Sequence, residues 1–268
     1  EIDYFGKVVG VNKATINELH LITSPFFLRR TKSEVAKDLP PKLYSDIPLE
    51  MEEEKAAYEA IANEFLEWLK SQTNKNWHMS ALEKLIKLRQ FVEFPSLVGF
   101  PKLPSQKLQW LEEMFEAEPK IVVFSFFRGT VNKLSEHFKT KYVIHGGVEA
   151  DSRFSLIEEF NAQKRAIMIC TDAGKHGVNI TGANTIIHFG SVFNPATMRQ
   201  REDRLHRIGQ TLPVTVYYPY FLNTIDEGIK KILDNRQNDI NYFLDGTNKM
   251  SAARLNKGVF EKLIRGQM

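Results

Sequence analysis

Beyond Lys120 the chain alternates short apolar runs with helical patterns, and that alternation limits the folds open to it more than anything else in the sequence. The runs are Ile121–Ser125, Tyr142–His145, Ala166–Cys170, Thr185–Phe189 and Val214–Tyr218. Short continuous apolar runs are how strands covered on both faces read. Between them Val131, Leu134 and Phe138, and then Phe154, Ile157 and Phe160, repeat at helical spacing. Asn194 before Pro195 is a helix N-cap with proline at the first helical position. Thr224 to Glu227 forms a capping box opening a helix through Ile225, Ile229 and Ile232. Five strands with right-handed crossovers predict an α/β fold, a doubly wound parallel sheet with helices on both faces.

Upstream the patterns are helical. Tyr58, Ile61, Ala62, Phe65, Leu66 and Leu69 mark one helix, opened by the acidic Glu52–Glu54. Leu82, Leu85, Ile86 and Leu88 mark a second, ending before Pro95. Leu43–Met51 reads as a strand, Pro40–Pro41 and Pro95–Pro104 as connectors, and the pattern fades beyond about Asp245 into a mixed basic tail.

The bulk composition narrows the function class. A chain of 268 residues that is 43% hydrophobic can bury a sizeable core. Its net charge of +3 tolerates nucleic acid as a partner without demanding it, so any phosphate-binding surface must be local. The single cysteine, Cys170, sits in an apolar run, which excludes a disulfide framework and any multi-cysteine zinc site and fits a reducing, intracellular compartment. No apolar run approaches a membrane span, and no signal-peptide pattern opens the chain. Its first residue is Glu1 rather than Met, so a piece of a longer protein is expected.

Doubly wound sheets bind ligands outside the carboxyl ends of their strands. Ser125–Gly129, His145–Gly147 and Thr171–Asn179 follow the first three strands and mix small residues with hydroxyl, amide and cationic groups. Backbone N–H groups in such loops bind phosphate. Glycine in a βα turn often serves the turn alone; three such loops together point to polyphosphate. Gln200, Arg204 and Arg207 follow at i, i+4 and i+7, one stripe if the stretch is helical. A solvated helix is the bland reading of such a stripe. Its position after the alternation favours phosphate, which guanidinium forks match. His145, His176 and His206 match no metal-ligand spacing, so no metal site is expected, and His206 is expected to position its neighbours by hydrogen bonding.

These motifs resemble the carboxyl-terminal half of a Swi/Snf-type ATPase, a double-stranded DNA translocase of helicase superfamily two. Gln200–Gln210 (QREDRLHRIGQ) resembles that family's final motif, Q-A-x-D-R-x-H-R-I-G-Q, departing at Arg201, where alanine is usual. Thr171–Ile180 is similar to T-x-A-G-G-x-G-x-N-L, with Lys175 for a glycine; Phe193–Pro195 is similar to W-N-P, and Ile121–Phe126 to V-x-I-F-S-Q. Phe27–Lys32, Leu39–Lys42, Leu88–Gln90 and Ser105–Leu108 resemble L-R-R-T-K, L-P-P-K, L-R-Q and S-x-K-L. Gly190 stands where the family often has aspartate.

The resemblance implies a RecA-like lobe, the second of two, preceded by a helical protrusion. It implies a connector and end of the first lobe over residues 1–48, the protrusion over 49–104, the second lobe over 105–235, and a helical and basic tail over 236–268. It implies an ATP hydrolase as part of the complete motor. ATP and Mg2+ would be bound mainly by the first lobe, whose phosphate-binding loop has no counterpart here: Gly174–His176 is not one, and Asp226–Glu227 belongs to the capping box. Arg204 and Arg207 would be the catalytic arginine fingers. Gln200, Gly177 and Asn179 would join them at the nucleotide. Ser125, Arg128, Gly147, Thr171, Gly174 and Lys175 would face the DNA backbone, without sequence preference. The implied partners are double-stranded DNA and the first lobe of the same parent protein, with no membrane. The implied location is cytoplasmic in a prokaryote or virus and nuclear in a eukaryote. The alternatives are a non-catalytic RecA-like module binding DNA or protein, and a strand-separating helicase.

Overall fold

The computed structural model describes residues 21–22, 24–26, 36, 38–73, 77–172, 179–245 and 257–268, without the side chains of 78 and 236–245. The chain runs through β1 (Lys42–Leu49), α1 (Lys55–Ser71), α2 (His78–Glu93), a short 3-10 turn (Pro95–Val98) and α3 (Gln106–Ala117). It continues through β2 (Lys120–Phe124), α4 (Arg128–His137), β3 (Val143–Ile144), α5 (Ala150–Ala162), β4 (Ala166–Cys170) and β5 (Thr185–His188). It closes with α6 (Pro195–Glu202), β6 (Val214–Phe221), α7 (Ile225–Asp245) and α8 (Lys257–Ile264).

The strands form one sheet in the order β1-β6-β5-β2-β4-β3, every neighbouring pair parallel. Every residue of β2, β4 and β5 is buried, as their apolar stretches favour. Side chains alternate between two faces. Val122, Phe124, Met168, Cys170 and Ile186 meet Ile157 and Phe160 of α5 on one face. Ile121, Val123, Ile167, Ile169 and Ile187 meet Leu111 of α3 with Val131 and Leu134 of α4 on the other. The α/β doubly wound fold is as expected, with one strand more than the apolar runs alone give.

That strand, β1, pairs with β6 in register from Lys42↔Val214 to Leu49↔Phe221. The expected boundary at residue 48 falls inside it. The boundary at 235 falls inside α7, and beyond it Phe260, Leu263 and Ile264 of α8 return to a cluster shared with α1, α2 and α7. In α2 the inward face is Ala81, Leu85, Leu88, Phe91 and Val92, whereas Leu82 and Ile86 are exposed. The Asn194 cap forms as read, Oδ1 accepting from Ala196 N at 2.9 Å, whereas the Thr224 box is shifted: Thr224 Oγ1 accepts from Asp226 N at 3.1 Å and Glu227 Oε2 from Asn223 N at 2.7 Å. Ser105 caps α3, accepting from Leu108 N at 3.3 Å, a contact worth about 1 kcal/mol. No helix among the described residues is long and apolar enough to cross a membrane.

Candidate functional site

The QREDRLHRIGQ segment is not one helix. α6 ends at Glu202 and residues 203–209 run in turns, so Gln200, Arg204 and Arg207 do not share a helical stripe. The last two residues of this helix are captured by the protein interior: Arg201 and Glu202 are each 2% exposed. Arg204 and Arg207 are then held by the turn itself. Ile180 N donates to Arg204 O at 2.9 Å, and Arg207 Nη1 donates to Asn179 Oδ1 at 2.7 Å. Arg204 is half-buried and Arg207 exposed. The pKa of Arg204 is lowered first by burial and then by the charge of Arg207, with Asp203 opposing. Two cations therefore sit side by side, with Asp203 as the opposing charge. Gln200 is exposed on α6 and makes no side-chain hydrogen bond among the described residues.

The turn is fastened to segments that precede strands. Gln210, 7% exposed, donates from Nε2 to Ala183 O at 2.8 Å, and its Oε1 accepts from Thr211 N and Leu212 N. His206 Nε2 bonds Pro40 O at 2.7 Å, which assigns its proton to Nε2 and gives it the positioning role read from sequence. Ala183 lies just before β5 and Pro40 just before β1. The arginines thus stand at the amino edge of the sheet, opposite the edge where the sequence pattern placed them. α6, about 12 Å long, carries the chain from one edge to the other.

The loops after the strands occupy the carboxyl edge. There Arg128 and Gly147 come together: a Cβ added at Gly147 would lie 3.7 Å from Arg128 Nη2 and 3.1 Å from His145 Cε1. Gly147 N donates to His145 Nδ1 at 3.0 Å. The His145 pKa is pushed down by burial and by Arg128 and Arg153, which marks a local concentration of positive charge. Ser125 does not reach this surface. It is fully buried, donating from Oγ to Glu93 Oε2 at 2.5 Å and accepting from Phe127 N at 3.0 Å. What the loop after β2 presents instead is Phe126, 48% exposed, beside Arg128. Thr171 is buried as well, its N–H donated to Ile144 O at 2.8 Å. Gly174, Lys175 and Gly177 lie outside the described residues.

Sequence reasoning missed a buried polar network under α6. Arg201 grips Asp172 with two prongs, Nε to Oδ1 at 2.6 Å and Nη2 to Oδ2 at 3.1 Å, and donates from Nη1 to Gly190 O at 2.9 Å. Glu202 accepts from Lys42 Nζ at 2.8 Å, Tyr218 Oη at 2.9 Å and Tyr44 Oη at 3.0 Å. Burial alone would raise the Glu202 pKa. His188 and Lys42 outweigh it and bring the group down to about 2. The one visible signal was the arginine at 201, a departure in an otherwise matching motif.

Residues 106–209 match the helicase conserved C-terminal domain family, and residues 6–97 match the SNF2-related domain family. An uncharacterized ATP-dependent helicase of Mycoplasma pneumoniae is 33% identical over 257 residues, covering 88% of this chain and 25% of that protein. The Sulfolobus solfataricus SWI2/SNF2 ATPase core domain superposes with a TM-score of 0.64 at 27% identity, covering 95% of this chain and 55% of the other. The same core in complex with double-stranded DNA gives 0.61 at 30% identity, with 84% and 51% covered. The chain spans about a quarter of the length of the curated relatives it matches.

Proposed function

This chain belongs to the Swi/Snf-type family of superfamily-two helicases, and on that premise we propose that it is the second, RecA-like lobe of an ATP-dependent double-stranded DNA translocase. The observation that carries the reading is the paired arginine turn. Burial first and the charge of Arg207 second lower the Arg204 pKa, with Asp203 opposing, so two cations adjoin in a half-buried turn that an anion would relieve. A nucleotide held by another lobe would supply that anion, and guanidinium groups would stabilise the charge that its terminal phosphate gains during hydrolysis.

The residues present fit a polyphosphate. Arg204 and Arg207 would meet the terminal phosphate, Asn179 would hold Arg207 in line, and Gln200 and Gly177 would complete the wall. The donors here are cationic and amide groups, which suit phosphate oxygens; Mg2+ would be held by the partner lobe and the nucleotide. When bound, ATP supplies a phosphoanhydride bond whose cleavage drives the motor. This lobe's own part is to orient charge and to close its side of the cleft.

At the carboxyl edge, Arg128, Gly147, Gly174 and Lys175 would track the DNA backbone, while buried Ser125 and Thr171 hold their loops beneath that surface. Phosphate contacts carry no base information, so binding would be independent of sequence and sensitive to salt. The chain alone would hydrolyse ATP negligibly, since its arginines act on a nucleotide that the first lobe must hold.

The test is the complete two-lobe motor with alanine at Arg204 and Arg207. DNA-stimulated hydrolysis should fall by roughly 10³–10⁵ while nucleotide still binds. Normal hydrolysis by the double variant would overturn the reading.

A further inference from the structure

The bend after β2 carries one ring out of the fold. Ser125 before it and Phe127 after it are buried, whereas Phe126 between them is 48% exposed. Both flanks are pinned: Ser125 Oγ donates to Glu93 Oε2 at 2.5 Å, and Phe127 N donates to Ser125 Oγ at 3.0 Å. In the motif that Ile121–Phe126 resembles, glutamine closes the pattern, so an apolar ring here replaces a polar group.

A single exposed aromatic is ordinary on a protein surface. The support beneath this one is not. The Arg89 guanidinium lies over the Phe126 ring, 5.0 Å from its centroid, and 5.2 Å from the centroids of Phe127 and Phe193. Arg89 is 8% exposed, and its Nη2 donates to Ser191 O at 2.7 Å, which fixes the cation in place. Phe127 meets Phe126 edge to face, with centroids 5.2 Å apart at 87°. A cation and a ring edge thus hold a side chain of which nearly half faces solvent. A ring already held in this way loses little freedom on meeting a ligand.

Its surroundings are cationic. Arg128, two positions on, is exposed, and the charges of Arg128 and Arg153 both bear on His145. Phe154, 55% exposed, follows Arg153 on the same edge of the sheet. Rings and cations interleave on this surface, as they do where proteins hold unpaired nucleic acid: the cations take phosphates and the rings take base faces. A continuous duplex hides its base faces inside the stack, so a ring gains that contact only where a base is unpaired.

We propose that Phe126 is a stacking platform for an unpaired DNA base, so that this edge favours duplex DNA interrupted by a gap over continuous duplex. Arg128 would hold the phosphate beside that base. The inference rests on the DNA-facing role proposed above for the carboxyl edge and adds a substrate preference to it. Every base has a ring face, so the preference is for unpaired structure and not for sequence.

The complete motor is titrated, without nucleotide, into three labelled DNAs. They are a continuous duplex, the same duplex with a short single-stranded gap, and the gapped duplex with abasic sites in place of its unpaired bases. The abasic DNA keeps every phosphate and loses only the stacking partner. Affinities are read by fluorescence anisotropy for the wild type, Phe126→Leu and Phe126→Tyr, with folding checked by melting temperature. The wild type should bind the gapped DNA about fivefold or more tightly than its abasic counterpart. Phe126→Leu, which keeps apolar bulk without a π-face, should lose that ratio, and Phe126→Tyr should keep it. The salt slope on gapped DNA should be the same in all three proteins, because a ring neutralises no phosphate. A wild-type ratio near one would overturn the inference with no variant needed. A ratio that survives in Phe126→Leu, including through an equal loss on all three DNAs, would also overturn it and leave Phe126 as a support for its loop. A wild type that binds none of the three DNAs would instead overturn the underlying reading of this edge.

Discussion

Lys42, the first residue of the edge strand, donates to Glu202, the last residue of α6, across 2.8 Å and 160 positions of sequence. Glu202 also takes both tyrosine hydroxyls within reach, from Tyr44 on β1 and Tyr218 on β6. The edge strand, the neighbouring strand and the helix leading to the arginine turn therefore converge on one carboxylate. Glu202→Gln keeps the shape but removes the nearer of the two carboxylates that Lys42 faces, leaving Asp203 Oδ1 at 3.3 Å, and should cost up to about 3 kcal/mol. Urea denaturation should show the loss as a lower midpoint at unchanged slope, and an unaltered midpoint would mean that Lys42 relaxes into solvent at no cost.

The same network sets an acid limit on stability. The ordinary value for Glu202 is 4.5 and the fold brings it to about 2. Its contribution is fully present above the unfolded value and is lost as pH falls through the folded one, at up to about 1.4 kcal/mol per pH unit. His188 acts earlier. It is fully buried, and burial above all holds its pKa below the ordinary 6.5. As pH drops below that ordinary value the unfolded chain takes up the proton first, so stability declines from there downward. Urea midpoints should be flat above about pH 7 and fall at about pH 5.5 in the wild type, with a smaller fall in His188→Gln. A wild-type midpoint that rises over that interval would contradict the assignment.

Lys107 is read from the sequence as part of a landmark and turns out to be fully buried, paired with Asp226 and lying over the rings of Phe189 and Phe221. Removing one member of such a pair strands the other charge in the interior. Lys107→Met should destabilise by about 3–5 kcal/mol, and Lys107→Met with Asp226→Leu should recover part of it. The check is a double-mutant cycle by denaturation; a double variant that loses the sum of the single losses would show that the two residues do not act as a pair.

The sheet was legible because its central strands announce themselves: β4 is an unbroken apolar run and β2 and β5 carry apolar stretches, Ile121–Phe124 and Ile186–Ile187, as burial on both faces favours. β1 was harder, since it mixes Lys42, Ser45 and Asp46 with apolar residues and finds its partner β6 about 170 positions later with no turn between them to signal the pairing. The arginine pair was legible as chemistry and misplaced as geometry. Nothing in QREDRLHRIGQ breaks a helix before Gly209. The helix nevertheless ends at Glu202, where Arg201 and Glu202 bind partners from distant segments, contacts that local spacing does not encode. Lys107 and Arg201 were opaque for a related reason: a single charge in a polar helix reads as solvated until its partner, from a distant segment, is in view.

Ser125 and Arg128 separate support from contact. Arg128 is exposed at the carboxyl edge, whereas the Ser125 hydroxyl is buried against Glu93. In the complete motor, Arg128→Ala should weaken DNA binding on every sequence and lower the salt slope by about 1. Ser125→Ala should leave that slope unchanged and reduce thermal stability, because the Glu93 carboxylate loses a donor. Binding measured across a salt series decides it, and a reduced slope in Ser125→Ala would return that hydroxyl to the DNA surface.

Gly190 and Glu93 compete for one volume. Aspartate at 190, usual in the family this chain belongs to, would place its Cβ 2.0 Å from Glu93 Oε1 and add a second carboxyl group beside a buried one whose pKa burial has already raised. Gly190→Asp alone should therefore cost about 2–4 kcal/mol, from overpacking and like-charge contact. Glu93→Ala alone should also destabilise, since it opens a cavity and leaves Ser125 Oγ without its acceptor. Combined, the two should lose at least about 1 kcal/mol less than their sum, because the aspartate then enters the space and the hydrogen-bonding position that Glu93 vacates. Denaturation of the four proteins in the cycle measures that coupling. Additive losses would show that Glu93 and Gly190 were not alternatives for the same site, and that the glycine is there for the backbone of its own loop.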